Sequence, residues 1–538
     1  MPLTFRRKSA VSVQSNSAIS TIGAVGRNSR WGNFFISWAI LSLVAAVWSL
    51  ATPISAAPDE PAHIIKAAAV ARGQFLGANT DAGQQVTVPA YVADTAARTC
   101  FAYNNGVTAD CVVPITGSAG RLVTSSTSVG LYNPTYYFLV GWPSLLFHDD
   151  TGIYAMRFVS GLVSSLFLAA ALMMLTTWRR RTLPIFGFAV AVTPMVFFLN
   201  GVVNPNSLET TATLGAFVGV LSIVLHPAKS LVTERSVIVL ISAAIAVNAR
   251  GLSPLWVAIA VLIPFVLARS QQIRELIKLV AVRIAVIGVA VSAVAALLWI
   301  GLSNSLGAGI STPGHLISGP GVGGTPLRGF AQILAGTFDY GQGIVGIFGW
   351  LDSAVPPMVL FTWSAFIGGV VLAGFVFLRD RPLVFALSLV GGLIFLPPIT
   401  QALYVTGGGI VWQGRYALPL FVCVIVGISA VLVDRVPKIE PSAVSRFIAA
   451  FATLWFVGQV YAFVYTLKRY SVGTAAGASG ASWKRLFFDP NWDPPGGTIW
   501  ICLAYAVISA AMAGLLFRRA KLNSRIDVLS PAPERLPV

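Results

Sequence analysis

The chain has 538 residues, of which 56% are hydrophobic and only 10% charged, and its formal net charge is +17. Charged residues make up about a quarter of an ordinary soluble domain, so this composition excludes a water-soluble globule. Nor does the positive charge point to nucleic acid, because Lys and Arg sit mostly at the ends of apolar runs, where they report membrane topology.

Arg6, Arg7 and Lys8 open the chain, and residues 1–32 are expected to form a disordered cytoplasmic N-terminus. The first apolar segment, Asn33 to Ala51, is long enough to span a bilayer and reads as a retained anchor; cleavage at Ser55-Ala56-Ala57 is the competing reading. Residues 52–150 then form a large extracytoplasmic loop. In it Cys100 and Cys111 flank the turn-prone Tyr103-Asn104-Asn105-Gly106, and in an oxidising compartment they read as a disulfide in preference to free thiols. The stretch from Leu131 to Leu146 is short, broken by Pro143 and rich in Tyr and Trp, so it is expected as a surface-lying or re-entrant helix.

Further spans are expected at Ile153–Thr177, Leu183–Leu199, Leu208–Leu225, Val237–Val247, Leu252–Leu267 and Val280–Leu302. After a second extracytoplasmic section, residues 303–354, come Val355–Leu378, Leu383–Pro398, Tyr416–Leu432, Phe447–Leu467 and Thr498–Phe517. The expected fold is an all-α polytopic membrane protein of about 12 transmembrane helices, with a membrane domain over 33–517 and a cytoplasmic tail over 518–538. Basic residues such as Arg179-Arg180-Arg181 mark the cytoplasmic side, and most acids fall outside. The sequence carries no internal repeat, P-loop, GxGxxG opening a helix, or zinc-ligand spacing.

One run stands out: Pro58-Asp59-Glu60-Pro61-Ala62-His63, directly after the first span. Proline suits the first turn of a helix and a carboxylate before it suits the cap, so a helix is expected to reach Arg72 and stop at Gly73. Glu60, His63 and Lys66 would then share one side, with Ile64, Ile65 and Ala68 against the membrane. Two readings stay open: Asp59 and Glu60 only cap this helix, or they form a reactive centre at the membrane surface.

Five motifs in order bear on that choice. Pro58-Asp59-Glu60-Pro61-Ala62-His63, Tyr132-Asn133-Pro134-Thr135-Tyr136-Tyr137, Asn204-Pro205-Asn206, Gly349-Trp350-Leu351-Asp352 and Gln413-Gly414-Arg415-Tyr416-Ala417-Leu418-Pro419 together resemble the DUF2142 family of bacterial membrane proteins. More distantly, the layout is similar to GT-C glycosyltransferases, which use polyprenyl-phosphate-linked sugars on the outer face. This resemblance implies a glycan acceptor, a membrane-lipid donor and a catalytic acid in the first outer loop. Asp59 matches the acid that acts as base or holds a metal, and Glu60 is its neighbour. Some members carry an acid where this chain has the amide Asn206.

Sugar transfer from a polyprenyl phosphate needs a base for the acceptor proton and positive charge for the departing phosphate. Asp59 is the expected base, with Glu60 beside it; Arg415 is the first choice for the phosphate, followed by Lys66, Arg157 and Arg250. Arg415 could equally be an interfacial anchor or pair with Asp352. His63 reads as a hydrogen-bonding histidine, while Asp59, Glu60 and His63 together could hold a divalent metal ion, the one cofactor left open. Trp350, Trp412 and Tyr416 read as interfacial belt residues or as a stacking surface, and Asn204, Asn206, Asp352 and Gln413 as supporting groups. The alternative function is a transporter or flippase of an envelope precursor, which is expected to carry ionisable groups or broken helices at the bilayer midplane.

Overall fold

The computed structural model describes residues 15–80, 83–114, 118–307, 319–436, 440–474 and 482–526. Arg6, Arg7, Lys8 and residues 527–538 of the tail lie outside the described residues. The first helix, α1 (Ser15–Ala51), begins inside the stretch expected to be disordered. No proline interrupts residues 15–51, and extending an existing helix adds a hydrogen bond per residue without a new nucleus.

The section between the first two long helices folds as a small cap. It holds α2 (Glu60–Ala71), a three-stranded antiparallel sheet ordered β1 (Ala78–Thr80), β2 (Gly83–Pro89) and β3 (Leu122–Thr127), the short α3 (Ala90–Ala93) and α4 (Thr135–Gly141). Strands β2 and β3 pair in the register Val86↔Ser125. Helix α2 lies within this cap, not on the lipid: Ile64, Ile65 and Ala68 are buried against Val88, Tyr136 and Tyr137. Helices α2 and α4 touch so closely that a Cβ at Gly141 would run into the Ala67 carbonyl. Cys100 and Cys111 are disulfide-bonded, as expected.

Among the described residues nine helices are long and apolar enough to cross a membrane. They lie in α1, α5 (Asp150–Thr176), α8 (Pro205–Leu225), α12 (Val280–Ser303), α15 (Pro357–Phe377), α16 (Asp380–Gly408), α17 (Leu418–Leu432), α18 (Pro441–Val472) and α20 (Thr498–Ile526). A tenth crossing is the pair α6 (Thr182–Ala191) and α7 (Pro194–Asn200), bent by 64° where Pro194 prevents helix continuation. The remaining two expected spans are short: α9 (Val232–Val247) has 16 residues, and α10 (Ser253–Leu262) opens the apolar stretch Ser253–Leu267. Both stop at a turn whose Arg250 reaches inward to Glu209 at 3.8 Å. All twelve apolar runs are therefore helical, but nine or ten, not 12, have full spanning length.

Helices α8 and α17 form the buried centre, while α12 lies at the periphery. Between α12 and α15 the amphipathic α13 (Pro326–Ala335) and α14 (Thr337–Gly346) lead into the two-stranded β4 (Ile347–Phe348) and β5 (Ser353–Ala354). The two ends of the bundle carry different chemistry. At one end Arg180 pairs with Asp434, and Arg519 of α20 donates to Ser37 Oγ and the Asn33 carbonyl of α1. At the other end the C-terminus of α1, the cap, the N-termini of α5 and α8, and the segment before α17 converge on Asp59 and Glu60.

Candidate functional site

Between α1 and α2, Pro53 and Pro58 hold the chain out of a helix until Glu60-Pro61 starts the next one. Asp59 occupies the capping position but adopts a left-handed conformation, φ 60°, and its side chain makes no capping bond. The capping reading therefore fails for Asp59: its carboxylate is sent elsewhere. Among the described residues, six non-glycine residues have positive φ, and Ser55, Asp59, Tyr103 and Leu351 are four of them. All four gather at this end of the bundle. Such conformations cost about 1–3 kcal/mol each and persist only where the surroundings over-determine them.

Glu60 and Arg157 are both fully buried and bind each other in a fork, with Arg157 Nε 2.7 Å from Oε1 and Nη2 2.6 Å from Oε2. Arg157 also donates to the carbonyls of Ser49, Thr52 and Pro53, and Glu60 Oε1 accepts the Val203 amide at 3.1 Å. Every guanidinium nitrogen is engaged. This pair ties the end of α1 to α5 and to the start of α8, and leaves neither residue free for a substrate. The expectations of Glu60 as a catalytic acid and Arg157 as a phosphate ligand thus give way to a structural role.

Asp59 is different. Its side chain is 46% exposed, and Oδ2 accepts a bond from Arg415 Nη2 at 2.7 Å. Arg415, only 2% exposed, sits on the turn Gly414–Ala417 that starts α17. A Cβ at Gly414 would collide with the Tyr340 carbonyl, so glycine lets this turn press against α14. Gln401 of α16 steadies the approach by accepting the Val411 and Trp412 amides and donating to the Gly409 carbonyl. Arg415 Nε and Nη1 are buried without a hydrogen-bond partner, as is Gln413 Oε1. Both residues line a cleft of about 570 Å³ shared with Met195, Gln332, Asp339, Tyr340, Leu351 and Trp412.

The Tyr416 ring is close to two guanidiniums, 5.2 Å from Arg415 and 4.5 Å from Arg250. Arg250 in turn pairs with buried Glu209, whose other oxygen accepts from Ser253. Trp412 meets Tyr416 edge-on at 5.8 Å.

The other expected residues divide between this site and its frame. His63 Nδ1 lies 2.9 Å from the Tyr137 hydroxyl, and burial pulls its imidazole down to about 3, against the attraction of Asp59, so it is neutral. Lys66 is buried and donates to the carbonyls of Phe75 and Gly130; burial lowers its amine to about 8, and it contacts no part of the cleft. Asn204 caps α8 through the Asn206 amide and donates to the Pro58 carbonyl, fixing the chain just before Asp59. Asn206 is buried with an unpartnered Nδ2. Asp352 pairs with Arg469, not Arg415, and Trp350 Nε1 donates to the Ser55 carbonyl. Asp59, Glu60 and His63 do not fit a metal: each is committed to a different partner, and among the described residues no three His, Cys, Asp or Glu side chains converge as ligands.

Residues 41–424 match the family described as Predicted membrane protein (DUF2142). The chain belongs to the DUF2142 family. A comparison with curated proteins finds no match. Among solved structures, this DUF2142 protein is similar to ArnT from Cupriavidus metallidurans, crystallised with undecaprenyl phosphate. The TM-score is 0.45 at 12% identity, over 92% of this chain and 77% of that one.

Three groups at the site of this DUF2142 protein escape motif reading. Arg469 stands in the last turn of α18, and a basic residue close behind a long apolar run was the available signal. Asp339 lines the cleft from α14, and Tyr103 faces Trp350 from the disulfide loop at 5.5 Å. Nothing local in the sequence distinguishes Asp339 from the acids of the other connecting sections.

Proposed function

We propose that this DUF2142 protein is a membrane glycosyltransferase that moves a sugar from a polyprenyl-phosphate donor to a cell-envelope glycan or glycolipid on the extracytoplasmic face. One observation carries the reading. Asp59, half-exposed, is paired with Arg415, a buried arginine that keeps two unpartnered nitrogens beside a cleft. A buried donor without an acceptor is costly, and an anionic ligand oxygen removes that cost.

In the proposed step Asp59 takes the proton of an acceptor hydroxyl as the oxygen attacks the anomeric carbon. The new carbon–oxygen bond forms as the bond from that carbon to the phosphate oxygen breaks, and the electron pair leaves with the phosphate. Arg415 Nε and Nη1 then bind the phosphate oxygens as their charge grows, which favours the transition state over the bound donor. Tyr416 and Arg250 hold Arg415 in place and add positive potential. Glu60 and Arg157 contribute no chemistry; they hold Asp59 at the end of α1.

The test is genetic and biochemical together. A deletion strain is complemented with wild-type protein or Asp59→Asn, and the envelope glycans are compared by mass spectrometry. Loss of a sugar in the deletion that only the wild-type restores, at equal protein abundance, supports the reading. Full restoration by Asp59→Asn rejects Asp59 as the base.

A further inference from the structure

The geometry points to a second subsite, a carbohydrate platform formed by Tyr103 and Trp350 that receives the acceptor glycan on the Asp59 side of the pair. This inference rests on the transferase reading and deepens it by separating the two substrates in space. Tyr103 is 73% exposed, an unusual position for a large ring, and it packs against Trp350 at 5.5 Å with an interplanar angle of 57°. Trp350 is fixed by its bond to the Ser55 carbonyl, four residues before Asp59. The neighbouring Leu351 belongs to the cleft wall that Arg415 also lines, so platform and cleft meet at the Asp59–Arg415 pair.

The way the loop is held argues that the ring is positioned for contact. Tyr103 has φ 61°, a conformation that side chains other than glycine rarely adopt. The loop is closed by the disulfide between Cys100 and Cys111. Buried Arg469 then grips it from α18, donating to the carbonyls of Phe101, Asn104 and Val107 while pairing with Asp352. A covalent closure and three carbonyl contacts thus hold an exposed ring beside an exposed carboxylate. Partial burial first, and then the charges of Asp59 and Asp352 opposed by Arg415, raise its phenol above the ordinary range, which places the ring within electrostatic reach of the pair. Asn104 and Asn105, the next two residues in the chain, are exposed as well. An aromatic face beside polar groups suits the apolar C–H face and polar edge of a sugar.

Full-length protein in lipid nanodiscs is titrated with two probes: undecaprenyl phosphate, and envelope glycan extracted from a strain lacking this protein. Tyr103→Ala and Tyr103→Gly, the second of which keeps the left-handed backbone at no cost, are expected to weaken glycan binding about tenfold. Tyr103→Phe retains the ring and stays within about twofold, and all three variants bind undecaprenyl phosphate as the wild type does. Unchanged glycan affinity in both the Ala and Gly variants overturns the platform, as does an equal loss of both ligands. Wild-type protein that binds the lipid phosphate but no glycan overturns the platform alone. Failure of wild-type protein to bind the lipid phosphate overturns the transferase reading itself.

Discussion

Asp59 and Glu60 share a peptide bond, yet their carboxylates end in opposite surroundings: Glu60 is locked to Arg157 in the interior, and Asp59 faces outward onto Arg415. The left-handed backbone at Asp59 causes this divergence, because it turns one carboxylate away from the helix its neighbour begins. The division of labour between them follows from that turn.

If Asp59 takes the acceptor proton, Asp59→Asn lowers transfer by about 10²–10⁴-fold, the usual contribution of a positioned base. The Asn amide oxygen can still accept from Arg415 and the side chain is half-exposed, so the loss of abundance and thermal stability is smaller than that of Glu60→Gln. Product mass spectrometry and detergent thermal melts read the two effects separately.

Glu60 behaves in the contrary way. Glu60→Gln or Arg157→Met strands a buried charge and is expected to destabilise the fold by about 3–5 kcal/mol, seen as lost yield and a lower melting temperature. The double variant Glu60→Gln/Arg157→Met recovers part of the loss, because no charge is then left alone. Recovery to no extent in the double variant argues against a shared cause.

Arg415→Lys keeps the charge but loses the planar fork, and it is expected to weaken undecaprenyl phosphate binding at least about tenfold. Equal affinity in the two proteins places the phosphate elsewhere, with Arg250 the next candidate.

His63 sets an acid limit. The unfolded chain protonates this imidazole near 6.5, whereas burial delays protonation in the folded protein to about 3. The unfolded state therefore binds more protons across that window, and stability falls as the pH drops from 6.5 towards 3. His63→Gln flattens this loss, which thermal melts at neutral pH and about pH 5 detect.

Reducing the bond between Cys100 and Cys111, or replacing Cys100 with Ser, lowers the stability of the outer cap by about 2–3 kcal/mol. Hydrogen exchange of residues 100–111 is the direct measure, and unreduced peptide mapping confirms the linkage.

The membrane class and the disulfide were legible in the sequence because composition and cysteine spacing are one-dimensional signals. The partner of each charge was not. Arg157 and Arg415 look alike as arginines at the ends of apolar runs, yet one meets three carbonyls and a carboxylate while the other keeps two buried nitrogens without a partner. Only the packing of α1 on α5 and of α14 on the Gly414 turn separates them. The side of α2 assigned to lipid failed for the same reason: helical spacing locates an apolar face but not whether lipid or a small sheet will cover it.

The Asp59–Arg415 contact closes 356 residues of chain, whereas the Glu60–Arg157 lock closes 97. During synthesis the lock can therefore form once the second long helix has entered the membrane, and Asp59 must wait until α17 arrives. A nascent chain halted before Arg415 holds its acidic turn in place without the cation that completes it. Synthesis thus supplies the buried lock early and the Asp59–Arg415 pair late.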